Sequence, residues 1–393
     1  MIDTLLRAWA LVAIVSSTLL LSLGLALALL RQGRKGAPGA PRSHVTSVHI
    51  VRPLCGREED AARKNASLLR QNHAPLTVAF VAGSEADAGL FAARELAADS
   101  CIVAHDSVSA SGKARNMIAG WRASTADYIA FCDSDIELAP NAVTAALEAI
   151  EQGHAAAAFA PSLYDDSGIW GRLAMQIATI DKLTLAEAGA TLGVVPYIEG
   201  GFMLISRAAL EASGGIELVR DALADDLRIG CALRAHGHRL AVSRVPIVHR
   251  TARESARVWA ERYLRWAICR RSEAPLLPRL TLLLHPVVVP LLVAALRFDA
   301  CPWRWFAAGI VWRTGYSFAA TRWLLAPHGI GGSRWSVLRP VAELLDAAFL
   351  VAAAFTRTVC WRGVSYRIDA GGRLSRRDAR KPEPSTRRVT ESS

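Results

Sequence analysis

The five residues Tyr128-Ile129-Ala130-Phe131-Cys132 run without a charge straight into Asp133-Ser134-Asp135. A β-prone run that ends in two carboxylates one residue apart puts both acids at the carboxyl end of a strand, where open α/β sheets hold their ligands. Hard, hydrated Mg²⁺ or Mn²⁺ is commonly held by one or two such carboxylates together with phosphate oxygens, an arrangement that suits a nucleotide diphosphate. A lone D-x-D is most often a solvated turn or a helix cap, so its neighbours must decide.

Around this motif, β-rich runs alternate with Ala/Leu-rich helical patterns. Val45 to Val51, Leu76 to Val81 and Tyr128 to Cys132 read as strands, and Glu58 to Gln71, Ala88 to Ala98, Lys113 to Arg122 and Asn141 to Gln152 as helices. This predicts an α/β fold with a mostly parallel sheet and helices on both faces. Two more words stand out. Ala224-Asp225-Asp226 heads a helical pattern, where the helix dipole alone would favour acids. Arg262-Tyr263-Leu264-Arg265-Trp266 precedes an apolar stretch and could be an interfacial anchor.

In this order and separation the three words resemble the family-2 inverting glycosyltransferases, most closely the ceramide glucosyltransferase branch with its hopanoid-sugar relatives. The resemblance covers residues 45 to 270. Val51-Arg52-Pro53-Leu54-Cys55-Gly56 looks like that branch's opening signature, Gly112-Lys113-Ala114-Arg115-Asn116 like its nucleotide loop, and Trp361-Arg362-Gly363-Val364-Ser365-Tyr366-Arg367 like its ending. It implies a Rossmann-like GT-A domain that moves one hexose from a nucleotide-diphosphate sugar, a UDP-sugar foremost, to the hydroxyl of a membrane lipid, ceramide- or hopanoid-like. Asp135 then holds the Mg²⁺ or Mn²⁺, Asp133 contacts the metal or the ribose, and Lys113 faces phosphate. Asp226 matches the family's base and Asp225 its neighbour. Arg265 and Trp266 match its last two positions and Arg262 its variable first one; a guanidinium can grip a diphosphate and an indole can wall a sugar or acceptor. One departure stands at Ser84, where the family carries an acid near the nucleoside base; Glu85 or Asp87 could substitute. Ile198-Glu199-Gly200-Gly201-Phe202 either shapes the acceptor side or simply turns the chain.

With 393 residues, 52% of them hydrophobic, there is room for one soluble domain and several membrane segments. The net charge of +11 gathers beside the apolar segments and in the tail, not in a stripe interleaved with exposed aromatics, so anionic phospholipid is the expected partner and nucleic acid is not. Seven cysteines without a C-x-x-C pair read as buried thiols of a reducing compartment. Ala8 to Leu30 is nearly free of polar residues and long enough for one crossing. The Arg31, Arg34, Lys35 and Arg42 that follow place the next domain in the cytoplasm, at a bacterial inner membrane. Leu276 to Leu296 and Val337 to Phe355 are expected to cross as well. Trp303 to Leu325, with Arg304, Arg313 and Arg322, should lie in the interface or inside a bundle, because an arginine at mid-bilayer is costly. Arg270 and Arg271 read as phospholipid contacts.

The expected organisation is an anchor at 1–31, a linker at 32–44, the catalytic domain at 45–270, a carboxyl-terminal membrane region at 271–358 and a basic, partly disordered cytoplasmic tail at 359–393. Two competitors remain at this level. One is a processive polysaccharide synthase, which would want a larger helix bundle. The other is a catalytically silent membrane protein that binds nucleotide sugar or lipid.

Overall fold

The computed structural model describes residues 2–34, 46–56, 58–97, 100–105, 109–164, 168–249, 255–297, 300–361, 364–369 and 371–376. The chain begins with α1 (Ile2–Gly33). Among the described residues it is the one helix that is by itself long and apolar enough to cross a bilayer, and only 28% of its most apolar stretch lies inside the fold. Its buried positions are mostly small, Ala10, Ala13, Gly24 and Ala28 with Leu21 and Leu25, which allows close approach of a second helix. Positions 35–44 of the expected linker, and residue 45 of the expected catalytic domain, lie outside the described residues.

β1 (Val48–Pro53) is buried at every position, as a parallel strand covered on both faces must be. It is followed by α2 (Ala61–Leu69), β2 (Leu76–Ala82), α3 (Ala88–Ala97), β3 (Cys101–Val103), α4 (Gly112–Arg122), β4 (Tyr128–Cys132) and α5 (Ala142–Gly153). Next come β5 (Ala157–Phe159), β6 (Ser162–Tyr164), α6 (Ile169–Ala174), α7 (Ile180–Leu192), β7 (Phe202–Ser206), α8 (Arg207–Ala212), α9 (Asp225–Ala235), β8 (Leu240–Val242) and β9 (Ile247–His249). Seven strands form one sheet in the order β3-β2-β1-β4-β7-β5-β8. β7 runs antiparallel to both neighbours while the other pairings are parallel, so the mostly parallel sheet expected from the pattern is present.

Successive side chains point to opposite faces of a strand, and two hydrophobic cores result. Val51, Ile129, Phe131 and Met203 pack with Met117 and Trp121 of α4 on one side. Ile50, Ala130, Phe202 and Leu204 pack with Leu68 and Leu147 on the other. A methyl group on Gly120 would come within 2.3 Å of Val51, so a glycine there is what lets α4 lie directly on β1. The chain runs from β1 outward through β2 to β3 and then crosses back to β4 on the other side of β1, and the carboxyl ends of β1 and β4 open the crevice where such sheets bind ligands.

The carboxyl part holds α10 (Ala256–Glu273), α11 (Leu276–Leu283), α12 (Val288–Arg297), α13 (Ala300–Ala320) and α14 (Arg339–Phe355). Here the expected crossings are not shown. Residues 276–296 are broken into α11 and α12 at a bend of 55°. Pro286 has no N–H to continue a helix, and His285 Nδ1 accepts the free N–H groups of Val287 and Val288. α14 starts two residues later than expected, is too short to qualify as a span, and buries Arg339 and Glu343. Arg313 of α13 is likewise buried, bonded to Asp181 at 2.6 Å and to Glu343, so this helix packs inside the bundle rather than in the interface. Arg270 donates to Asp346 at 2.7 Å, and Arg271 to the carbonyls of Ala353 and Thr356. Both are committed to α14 and are not free phospholipid contacts.

The tail at 359–393, expected to be disordered only after Gly371, is folded over its first part and as far as Arg376 among the described residues. β10 (Thr358–Trp361), β11 (Val364–Ile368) and β12 (Leu374–Arg376) form an antiparallel sheet, while residues 377–393 lie outside the described residues. Cys132 and Cys269 are buried, but Cys55, Cys231 and Cys360 are exposed, so burial of the thiols holds only in part.

Candidate active site

Asp133 and Asp135 leave the carboxyl end of β4 in a loop held from two sides. Arg52 at the end of β1 is fully buried and donates to Asn65 Oδ1 at 3.0 Å, to Cys132 Sγ at 3.2 Å and to the carbonyl of Ile136 at 2.7 Å. The N–H of Asp133 donates to the carbonyl of Gly201 at 3.0 Å. Lys113 arrives on the first turn of α4, which Ser111 caps by accepting from the N–H of Ala114.

The Lys113 ammonium sits between two of the expected acids, 2.8 Å from Asp133 Oδ1 and 3.1 Å from Asp225 Oδ2. Burial works against its charge, but the fields of Asp133, Asp225 and Asp226 outweigh burial and raise its pKa. Asp226 is next in sequence on the first turn of α9, its Oδ1 accepting from the N–H of Leu227 at 2.8 Å. Burial, and then the neighbouring Asp225 carboxylate, push its pKa up to about 7 against the pull of Lys113. Asp135 faces a residue that sequence reasoning did not find: His249 Nδ1, at the end of β9, lies 3.5 Å from its Oδ2. Burial would raise Asp135, but the His249 contact and the local backbone prevail and hold the carboxyl below its ordinary range.

The paired glycines make this convergence possible. A Cβ on Gly200 would lie 3.1 Å from Asp226 Oδ2, and one on Gly201 only 2.3 Å from Ile247 and 3.4 Å from His249 Nε2. They are thus more than a turn: they let the base candidate and the imidazole approach the D-x-D loop. Glu199 just before them accepts from the N–H of Ser162 at 2.9 Å.

The pentad lies on α10. Trp266 stands edge-on to Tyr263 at 4.9 Å and tilted to Tyr164 at 5.9 Å, and Tyr164 stacks on His249 at 4.6 Å. An aromatic path therefore links the pentad to Asp135. The cations of Arg262 and Lys182 lie 5.7 Å and 5.4 Å from the Trp266 ring. Arg265 turns instead to Trp361 of β10, at 5.1 Å. At the other end of the crevice, Glu85 pairs with Arg94, and Asp87 accepts from the N–H groups of Gly56 and Gly89. The Arg115 guanidinium lies so close over Gly83 that no Cβ would fit between them.

The loop before Asp225 is fastened to the carboxyl-terminal sheet. The N–H of Leu223 donates to the carbonyl of Gly372, and that of Leu374 to the carbonyl of Asp221 at 2.7 Å. Arg228 of α9 bonds Glu273 and the carbonyl of Gly371, both at 2.8 Å. Leu223 and Ala224 share one apolar cluster with Tyr366, Ile368 and Leu374.

A divalent cation in this crevice would need several hard donors. Among the described residues, no three His, Cys, Asp or Glu side chains form a ready-made metal cluster. Asp135 and His249 nevertheless form an oxygen and nitrogen pair, and His249 Nε2 is buried without a hydrogen-bond partner. With Asp133 beside them, these groups fit a hard cation whose remaining positions are filled by phosphate and water.

Fold and crevice together define a glycosyltransferase of the GT-A type. The chain belongs to glycosyl transferase family 21, whose family model matches residues 6–374. A similar protein is ceramide glucosyltransferase 1 of Caenorhabditis elegans, 21% identical over 375 residues, covering 87% of this chain and 76% of that relative. A similar solved structure is the mannosyltransferase PcManGT from Pyrobaculum calidifontis in complex with GDP-Man and Mn²⁺. It has a TM-score of 0.54 and 17% identity and covers 88% of this chain and 99% of its own, a likeness in fold alone.

Proposed function

We propose that this protein transfers a single hexose from a nucleotide-diphosphate sugar, a UDP-sugar foremost, to the hydroxyl of a membrane lipid of the ceramide or hopanoid kind, with inversion at the anomeric carbon. The observation that carries this reading is the convergence of Asp133 and Asp225, with Asp226 next to them, on Lys113 in the crevice, where burial and Asp225 push the Asp226 carboxyl up to about 7. A base with such a pKa can take a proton at neutral pH. In one step the acceptor oxygen bonds the anomeric carbon, its proton passes to Asp226, and the carbon–oxygen bond to the diphosphate breaks with its electron pair leaving on phosphate.

Asp225 keeps Asp226 basic through like charge and holds Lys113, whose ammonium is placed to neutralise the diphosphate. Asp135, Asp133 and His249 would hold the Mg²⁺ or Mn²⁺, which when bound supplies Lewis-acid stabilisation of the leaving phosphate. Trp266 and Arg262 wall the acceptor side, and Arg265 braces that wall against Trp361.

The catalytic unit at 45–270 faces the cytoplasm of a bacterial cell, with α1 embedded in the inner membrane and residues 271–358 lying against it beside anionic phospholipid. The similarity to a ceramide glucosyltransferase supports the lipid acceptor, and the arginines that close α1 support the orientation. The test is to incubate membranes containing the full chain with a panel of radiolabelled nucleotide sugars, with and without chelator, and to separate lipid from polymer. Label in a single-sugar lipid, lost on chelation, is expected; label in polymer, or none with any donor, overturns the proposal.

A further inference from the structure

A cavity of about 480 Å³ opens where α1 ends, on the edge of the sheet formed by β8, between α5 and the end of α7. Four arginines line it, Arg31, Arg34, Arg239 and Arg244, against one acid, Glu148. Arg31 is neutralised by Glu187. The others have no carboxylate partner among the described ion pairs. Arg244 donates to the carbonyls of Arg31 and Arg34, capping α1, and Arg239 donates to the carbonyl of Gly193 at 3.3 Å. Burial, and then the Arg31 guanidinium, lower the pKa of Arg244, with Glu187 opposing them.

The rim says where the ligand comes from. Leu192 and Val194, on either side of the lining residue Gly193, are 64% and 65% exposed, an apolar pair beside a cationic cavity that acyl chains would cover. We propose that this cavity is a binding site for the headgroup of an anionic phospholipid, whose phosphate is held by Arg34, Arg239 and Arg244 while Leu192 and Val194 meet its acyl chains. This site is separate from the sugar-transfer crevice, and it takes the place of Arg270 and Arg271, which the fold has committed elsewhere. The inference rests on α1 being embedded.

The full chain is first reconstituted in vesicles and washed at alkaline pH, then purified in detergent and titrated with phosphatidylglycerol or phosphatidylcholine, bound lipid being counted by native mass spectrometry. Phosphatidylglycerol is expected to bind at concentrations about tenfold lower than phosphatidylcholine. That preference should vanish in the Arg34→Gln/Arg239→Gln variant and persist in Arg279→Gln/Arg304→Gln, which removes the same charge from exposed positions of α11 and α13. Equal binding of the two lipids, or equal loss in both variants, overturns the site alone. Displacement of the lipid by inorganic phosphate at comparable concentration overturns the lipid in favour of a soluble anion. Chain stripped from the vesicles by the alkaline wash overturns the embedding and the site with it.

Discussion

Asp226 is expected to carry the proton transfer, so Asp226→Asn should lower turnover by about two to four powers of ten while nucleotide-sugar binding, measured directly, stays near that of the parent. Its raised pKa sets a pH dependence of definite sign. The base must be ionised to accept a proton, and burial beside Asp225 keeps it protonated below about pH 7, so kcat/KM should fall roughly tenfold per pH unit on the acid side. A profile flat from about pH 5 to about pH 8 would remove the assignment. His249→Ala should raise the concentration of Mn²⁺ needed for half-maximal activity by about tenfold or more, with the thermal midpoint little changed; an unchanged metal requirement would take His249 out of the site. The acids and Lys113 were legible because each stands in a short motif beside a patterned strand or helix. His249 was not: it ends a three-residue strand more than a hundred positions from Asp135, and a lone histidine carries no spacing that points to a partner.

Strands long enough to show their pattern, β1, β2 and β4, could be read with small errors at their ends. β5, β6, β8 and β9, of three residues each, are too short for any periodicity and exist because neighbouring strands pair with them. The carboxyl-terminal helices were legible only in part, for a different reason. Arg313, Arg339, Asp181 and Glu343 neutralise one another inside the bundle, so charges that looked out of place in lipid are buried in protein. The loop into β7 makes its own prediction. Gly200→Ala would put a methyl 3.1 Å from Asp226 Oδ2, displacing the carboxylate without disturbing Lys113. Steady-state kinetics should show kcat reduced with KM for the sugar donor close to the parent value, whereas a proportional rise in KM would mean the loop shapes donor binding instead.

At the scale of the whole molecule, the first helix and the last strands bracket the catalytic sheet. The first helix was legible because a long uncharged run needs no partner to be recognised. The folded tail was not, because β10 to β12 are polar on one side and gain their order from Leu223 and Ala267, residues remote in sequence. Truncation after Phe355 should therefore leave a chain that still inserts and still binds nucleotide but turns over at a small fraction of the parent rate, a result to be checked by assaying carbonate-washed membranes. The residues that fasten Asp221 and Leu223, Leu374 and Gly372, stand far along the chain from the loop they hold. Any loosening of that small carboxyl-terminal sheet would therefore reach the turn ahead of Asp225 before it reached the seven-stranded sheet.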